Sequence, residues 1–85
     1  MLFNENPVTL YEPFNYENFD LVDEFWVSYD GEFRDDNKEG FGILYISSGE
    51  RFEGSFKADY VCGPGSFFKR NGQKIDGIWL NNKLI

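Results

Sequence analysis

Eighty-five residues make one small domain, and a chain of this size buries only a modest share of its surface. Ten Phe, five Tyr and two Trp offset that, because a buried large apolar side chain contributes roughly 1.5–3 kcal/mol. The net charge of −7 is unevenly spread: residues 1–33 carry eight acids and no Lys or Arg, whereas residues 34–85 carry seven acids and all eight bases. An acidic start disfavours nucleic acid and anionic lipid, which are held through Lys and Arg, and suits either plain solvation or a basic protein surface.

Residues 1–18 show no clean periodicity, and Pro7 and Pro13 keep them out of a helix interior. Leu2, Phe3, Val8, Leu10, Tyr11, Phe14 and Tyr16 make the stretch too apolar for a disordered tail. Residues 1–25 therefore read as an irregular acidic, aromatic-containing arm that docks either on the chain's own sheet or on a partner. Within it, residues 19–22 read as a relic of half a repeat, since stepping back 23 positions from Gly42 and Leu44 lands on Phe19 and Leu21. Residues 26–34 alternate as a half-buried strand, with Tyr29, Gly31 and Phe33 on one face and Asp30, Glu32 and Arg34 on the other. A polar loop over 35–40 follows, then a strand over 41–46, a turn over 47–50 and a third strand over 51–57. A second loop covers 58–63 and a fourth strand 65–69. Asn71-Gly72 signals a tight hairpin turn before the last strand over 73–80.

A fixed step runs through residues 29–85. Tyr29-Asp30-Gly31-Glu32-Phe33 returns as Phe52-Glu53-Gly54-Ser55-Phe56 and again as Ile75-Asp76-Gly77-Ile78-Trp79, each time after 23 residues. Gly40, Gly42, Gly49 and Asp36 return as Gly63, Gly65, Gly72 and Asp59 at the same step. Such a period marks stacked supersecondary units. It predicts an all-β antiparallel meander of five strands over 26–85, six if the relic joins. Gly31, Gly54 and Gly77 sit mid-strand, where glycine weakens a sheet unless something must cross close to the backbone. Placed side by side in successive hairpins, they leave room for neighbouring aromatic rings. Gly40/Gly42 and Gly63/Gly65 bracket the strand entry, where a bulge or sharp bend needs permissive dihedrals.

These units resemble the MORN repeat (membrane occupation and recognition nexus), whose pattern is Tyr-X-Gly-X-Trp/Phe, then Gly-X-Gly, then Gly. Two full units and a half cover residues 29–80; Ile75, Lys69 and Pro64 depart from the pattern. The resemblance implies one elongated, twisted sheet built hairpin by hairpin, and a binding or scaffolding role without chemistry. It also implies that the face carrying Tyr29, Phe33, Phe52, Phe56, Phe67 and Trp79 lines an aromatic trough. On the opposite face, Phe41, Ile43, Tyr45, Phe68, Ile78 and Leu80 predict an apolar patch, covered by the arm or by another protein. The last strand is expected to be an unprotected edge that meets another chain.

Chemistry of its own is not expected. The chain has no His, which removes Ser-His-acid and Cys-His catalysis and the commonest zinc ligand. Cys62 lies among Tyr60 and Val61 with no basic setting to activate it. Asp35-Asp36-Asn37 lacks the remaining ligands of a calcium loop, and no Lys-Ser/Thr follows Gly40-Phe41-Gly42 or Gly63-Pro64-Gly65 to make a phosphate loop. Asp30, Glu53 and Asp76 recur at the period, as structural positions pairing with Arg51 or Lys74 would. No enzyme, cofactor or metal is therefore expected. The residues 1–85 also contain no apolar run long enough to span a bilayer and no secretory or mitochondrial leader pattern, and the single Cys fits a reducing compartment. The expectation is an intracellular, cytoplasmic or cytoskeletal assembly subunit binding other proteins, with a mitochondrial complex left open. The alternatives are a lipid-surface module or a regulatory repeat domain of an enzyme complex; the initiating Met and the length speak against the last.

Overall fold

A computed structural model describes residues 13–85. Six strands run in chain order: β1 (Trp26–Arg34), β2 (Asn37–Ile46), β3 (Arg51–Lys57), β4 (Tyr60–Phe68), β5 (Lys74–Leu80) and β6 (Lys83–Leu84). They form one open antiparallel sheet in which each strand pairs with the next. The molecule is an elongated all-β meander, 45 × 25 × 19 Å.

Two kinds of turn alternate along it. Asp35-Asp36, Ala58-Asp59 and Asn81-Asn82 are tight two-residue turns in which both residues have positive φ: 53° and 68°, 50° and 75°, 49° and 76°. This geometry matches the right-handed twist of the flanking strands. Asp and Asn tolerate it through local side-chain bonding, while Ala58 gains no such help. The expected loops over 35–40 and 58–63 are corrected accordingly: β2 and β4 begin directly after the turns, at Asn37 and Tyr60. The wider turns are closed by Gly49 and Gly72, both at φ 93°. Gly72 N–H donates to the Lys69 carbonyl (2.9 Å) and Lys69 N–H to that of Gln73 (2.8 Å). Asn71-Gly72 is thus part of a longer turn rather than a two-residue one. Only Gly72 is left-handed there, and Asn71 Oδ1 instead accepts the Gln73 N–H (2.9 Å).

The extra residues of β2 and β4 are absorbed in bulges. The pairing jumps between Gly31 and Phe33, and again between Gly54 and Phe56. Gly40 (φ 72°) and Gly63 (φ 111°) lie in the longer stretch opposite each jump. Between the bulges and the wide turns the register is regular enough to align identical positions. Gly31, Gly42, Gly54, Gly65 and Gly77 form one continuous row across five strands. Tyr29, Leu44, Phe52, Phe67 and Ile75 form the next apolar row on the inner face.

A single sheet has no second layer of its own, and residues 13–25 supply one. Phe19 is fully buried, and its ring lies 5.1 Å from that of Phe52 and 6.2 Å from Trp79. A short 3-10 helix, Val22–Glu24, adds Val22 to the core. Phe14 and Tyr16 pack over Phe67. The half-repeat relic is corrected: Asn18 bridges Lys83 at the far end of the sheet, and Leu21 points into solvent. A true half repeat would have paired beside β1. The last-strand edge is corrected at its end only: Trp79 and Leu80 pair with β6 and Leu84 N–H donates to the Glu17 carbonyl (3.0 Å), while among the described residues no strand meets Lys74–Gly77 on that side. The part of the predicted arm over 1–12 lies outside the described residues.

Candidate functional site

The inner face is organised by rings crossing glycines. The Tyr29 ring lies over Gly31 and Gly42, and the Phe52 ring over Gly54 and Gly65. A Cβ placed on Gly54 would stand 2.6 Å from Phe52 Cζ and 2.7 Å from the Gly65 Cα, so neither neighbour leaves room for it. Trp79 and Leu84 occupy the same place over Gly77. The Tyr29 hydroxyl donates to the Glu32 carbonyl (3.0 Å). Burial, and next the Glu32 carboxylate, push the Tyr29 phenol above its ordinary value.

Of the six residues assigned to an aromatic trough, Phe52, Phe56, Phe67 and Trp79 are buried. Phe14, Tyr16 and Phe19 fill the space above them, and the Trp79 indole N–H donates to the Tyr16 carbonyl (2.7 Å). The trough is closed by the chain's own arm at that end. Tyr29 is half-buried, and Phe33, its ring 5.1 Å away, is 60% exposed.

The outer face holds the second group. Phe41, Tyr45, Ile78 and Leu80 are exposed, and Ile43 and Phe68 are half-buried. They do not form one unbroken patch. Ile43, Glu53, Ser66 and Asp76 align in one row, and Tyr45, Arg51, Phe68 and Lys74 in the next. Arg51 Nε is 2.8 Å from the Glu53 carboxylate, and Lys74 Nζ 3.7 Å from that of Asp76. The Arg51 guanidinium also lies 3.8 Å above the Phe68 ring. The Ser66 hydroxyl, and after it the Lys74 ammonium, hold the Asp76 carboxyl below its ordinary value. The recurring acids Glu53 and Asp76 thus sit in structural pairs. The described arm covers the inner face, which corrects the expectation that residues 13–25 could shield the outer one.

Two features were not read from the sequence. Lys38 is almost buried, its ammonium 5.0 Å from the Trp26 ring, 5.7 Å from Tyr29 and 3.8 Å from the Asp59 carboxylate. The second is a ladder between successive tight turns. Asp59 Oδ1 accepts the Lys38 N–H (2.6 Å) and Asp59 N–H returns a bond to the Lys38 carbonyl (3.0 Å). Asn82 does the same to Val61, at 2.8 and 2.9 Å. Leu84, next in that series, gives its N–H to Glu17 instead. Asp36 holds the equivalent place in the first turn, at the β1 margin. The recurrence of Asp36, Asp59 and Asn82 at the 23-residue step was the available signal.

The two edges differ. The end of the β5 margin, Trp79 and Leu80, is covered by β6, whereas among the described residues β1 pairs with β2 alone along its whole length. Every β1 residue except Tyr29 is exposed. Among the described residues no group of three or more His, Cys, Asp or Glu side chains could hold a metal ion, and no helix is long and apolar enough to cross a membrane. Cys62 is a half-buried thiol in β4.

A one-layer sheet of hairpins in exact repeat, with glycines aligned beneath crossing rings, defines an open-sheet all-β repeat protein. The MORN repeat model matches residues 29–51 and 52–74, more than half of the chain, and the chain belongs to the MORN-repeat family. Each matched unit starts at the ring that crosses the glycines, Tyr29 or Phe52. A search of curated protein sequences found no match to the chain.

Proposed function

We propose that this MORN-repeat chain is a non-catalytic scaffold or assembly subunit that binds other proteins within a larger intracellular complex. The observation that carries the reading is the contrast between its surfaces. The inner face over Phe52, Phe67 and Trp79 is occupied by the chain's own arm, while the outer face leaves Phe41, Tyr45, Ile78 and Leu80 exposed, Ile78 at 54% and Leu80 at 53%. Apolar side chains set among paired charges suit a protein interface better than a lipid surface. The acids of residues 1–33 oppose an anionic membrane.

The test replaces Ile78 and Leu80 together by Ser. Both are exposed, so stability should change by no more than about 0.5 kcal/mol each. Stoichiometric partners isolated from the native source with the wild-type chain should be lost with the variant. A wild-type chain that remains a monomer with no stoichiometric partner sinks the reading. Flotation with anionic vesicles at low salt would move the assignment to a lipid surface.

A further inference from the structure

We infer that β1 is a docking edge for a strand of another protein, and that this strand runs antiparallel to β1 with apolar residues on one face and Lys or Arg on the other. The inference rests on the protein-binding reading and adds to its outer face a second surface with its own chemistry. Three observations converge on it.

The first is the asymmetry of the margins. β6 covers β5 at Trp79 and Leu80 and Leu84 N–H reaches the arm at Glu17, so a further repeat is begun there, with Lys74–Gly77 the only β5 stretch that no described strand meets on that side. Nothing described imitates one beside β1. From Ser28 to Arg34 the strand is exposed apart from Tyr29; its register shifts at Val27 and between Gly31 and Phe33, and the latter recurs at Gly54/Phe56 in β3, which still pairs without interruption with β2 on its other side. An edge of this length offers a row of backbone donors and acceptors for a strand to complete.

The second is the repeat itself, which states how a strand fits there. β2 lies on β3 with Leu44 opposite Phe52 and Ile43 opposite Glu53, and it begins where Lys38 N–H meets the Asp59 carboxylate. One repeat earlier the corresponding residues are Tyr29, Asp30 and Asp36. A strand placed on β1 in the same way starts beside Asp36, sets an apolar residue against Tyr29 and faces Asp30 with its outer side.

The third is charge, which selects among occupants. Between residues 20 and 36 there are seven acids and one base, Arg34. None of the ion pairs in the sheet uses a β1 side chain. A second copy laid β1 to β1 brings Asp30 and Glu32 against their own kind, and like charges directly opposite are destabilising. Residues 1–12 offer Glu5 and Glu12 and no base. A basic strand from a different protein meets no such opposition, and its encounter is accelerated by the acidic margin.

The experiment uses the 85-residue chain and two soluble peptides, one alternating Val with Lys and the other Val with Glu. Nitrogen-15 NMR titration and amide exchange follow each. The Lys peptide should bind, weaken with salt, and protect amides within residues 28–34. Asp30→Lys with Glu32→Lys should weaken it at least about tenfold and admit the Glu peptide, while Ile78→Ser leaves it unchanged. Binding by neither peptide, protection mapped to the outer face, equal loss in Ile78→Ser, or a wild-type dimer protected along β1 would each overturn the edge assignment. A native partner captured through Ile78 and Leu80 would at the same time leave the broader protein-binding reading standing.

Discussion

A glycine under an aromatic ring is the smallest unit of this fold. The strand loses intrinsic stability at each such position, and the ring laid across two backbones compensates by dispersion and exclusion of water. Gly54→Ala should therefore cost about 1–3 kcal/mol, because its Cβ meets the Phe52 ring and the Gly65 backbone together and both are fixed by the sheet. A urea melt should show a lower midpoint with an unchanged slope. If Gly54→Ala melts with the wild type, the ring does not hold the glycine row closed. These positions were legible because type and spacing repeat: an aromatic residue two before a glycine, twice at one step, with Ile75 in that place the third time. Lys38 was not legible. Its partners Trp26, Tyr29 and Asp59 meet it only after the chain has turned twice, and Val61 stands at the equivalent place in the next unit.

At the scale of elements, the arm is the piece that composition announced and sequence could not position. Its Phe and Tyr residues signalled docking, but docking is non-local, and the local pattern left the chain's own sheet and a partner equally open. The structure shows residues 13–25 on the inner face, with Phe19 in contact with Phe52, Phe67 and Trp79. Removing a buried Phe ring costs about 3–5 kcal/mol when the cavity cannot collapse. An arm held by few elements can lift instead, which limits the cost to the free energy of undocking. Phe19→Ala should accordingly expose Trp79 while the far-ultraviolet strand signal remains. In a Trp26→Phe background the emission should shift to the red; an unshifted spectrum would mean that the arm stays down without its central ring. The tight turns were misread for a different reason. Asp35-Asp36 and Ala58-Asp59 lack the glycine that usually flags a left-handed pair, so their strands were started too late.

For the whole molecule, the period foretold the all-β meander, while the clasp of the arm on the end of its far margin was unseen. That clasp depends on charges and bonds from distant residues: Asp20 lies 2.8 Å from the Lys83 ammonium and accepts from the Asn82 amide at 3.3 Å. The Lys83 ammonium first, and then Asn82, hold the Asp20 carboxyl below its ordinary value of 3.8. A depressed carboxylate stabilises the fold above the unfolded value, and the contribution fades as pH falls below 3.8. Asp76 acts in the same direction, so acid should loosen two places at once. Urea midpoints should fall as pH is lowered from about 4 towards about 2, and Asp20→Asn should flatten part of that slope. A variant with the wild-type slope would show that the clasp on Lys83 carries no linkage.

The bonds from Phe19 to Asn82 and from Leu84 to Glu17 also order events in time. A ribosome makes the arm early, yet the groups that receive it appear some sixty residues later. Until then the growing hairpins carry those rings without a bonded cover, so nascent chains paused anywhere before Asn82 should be the species that chaperones hold.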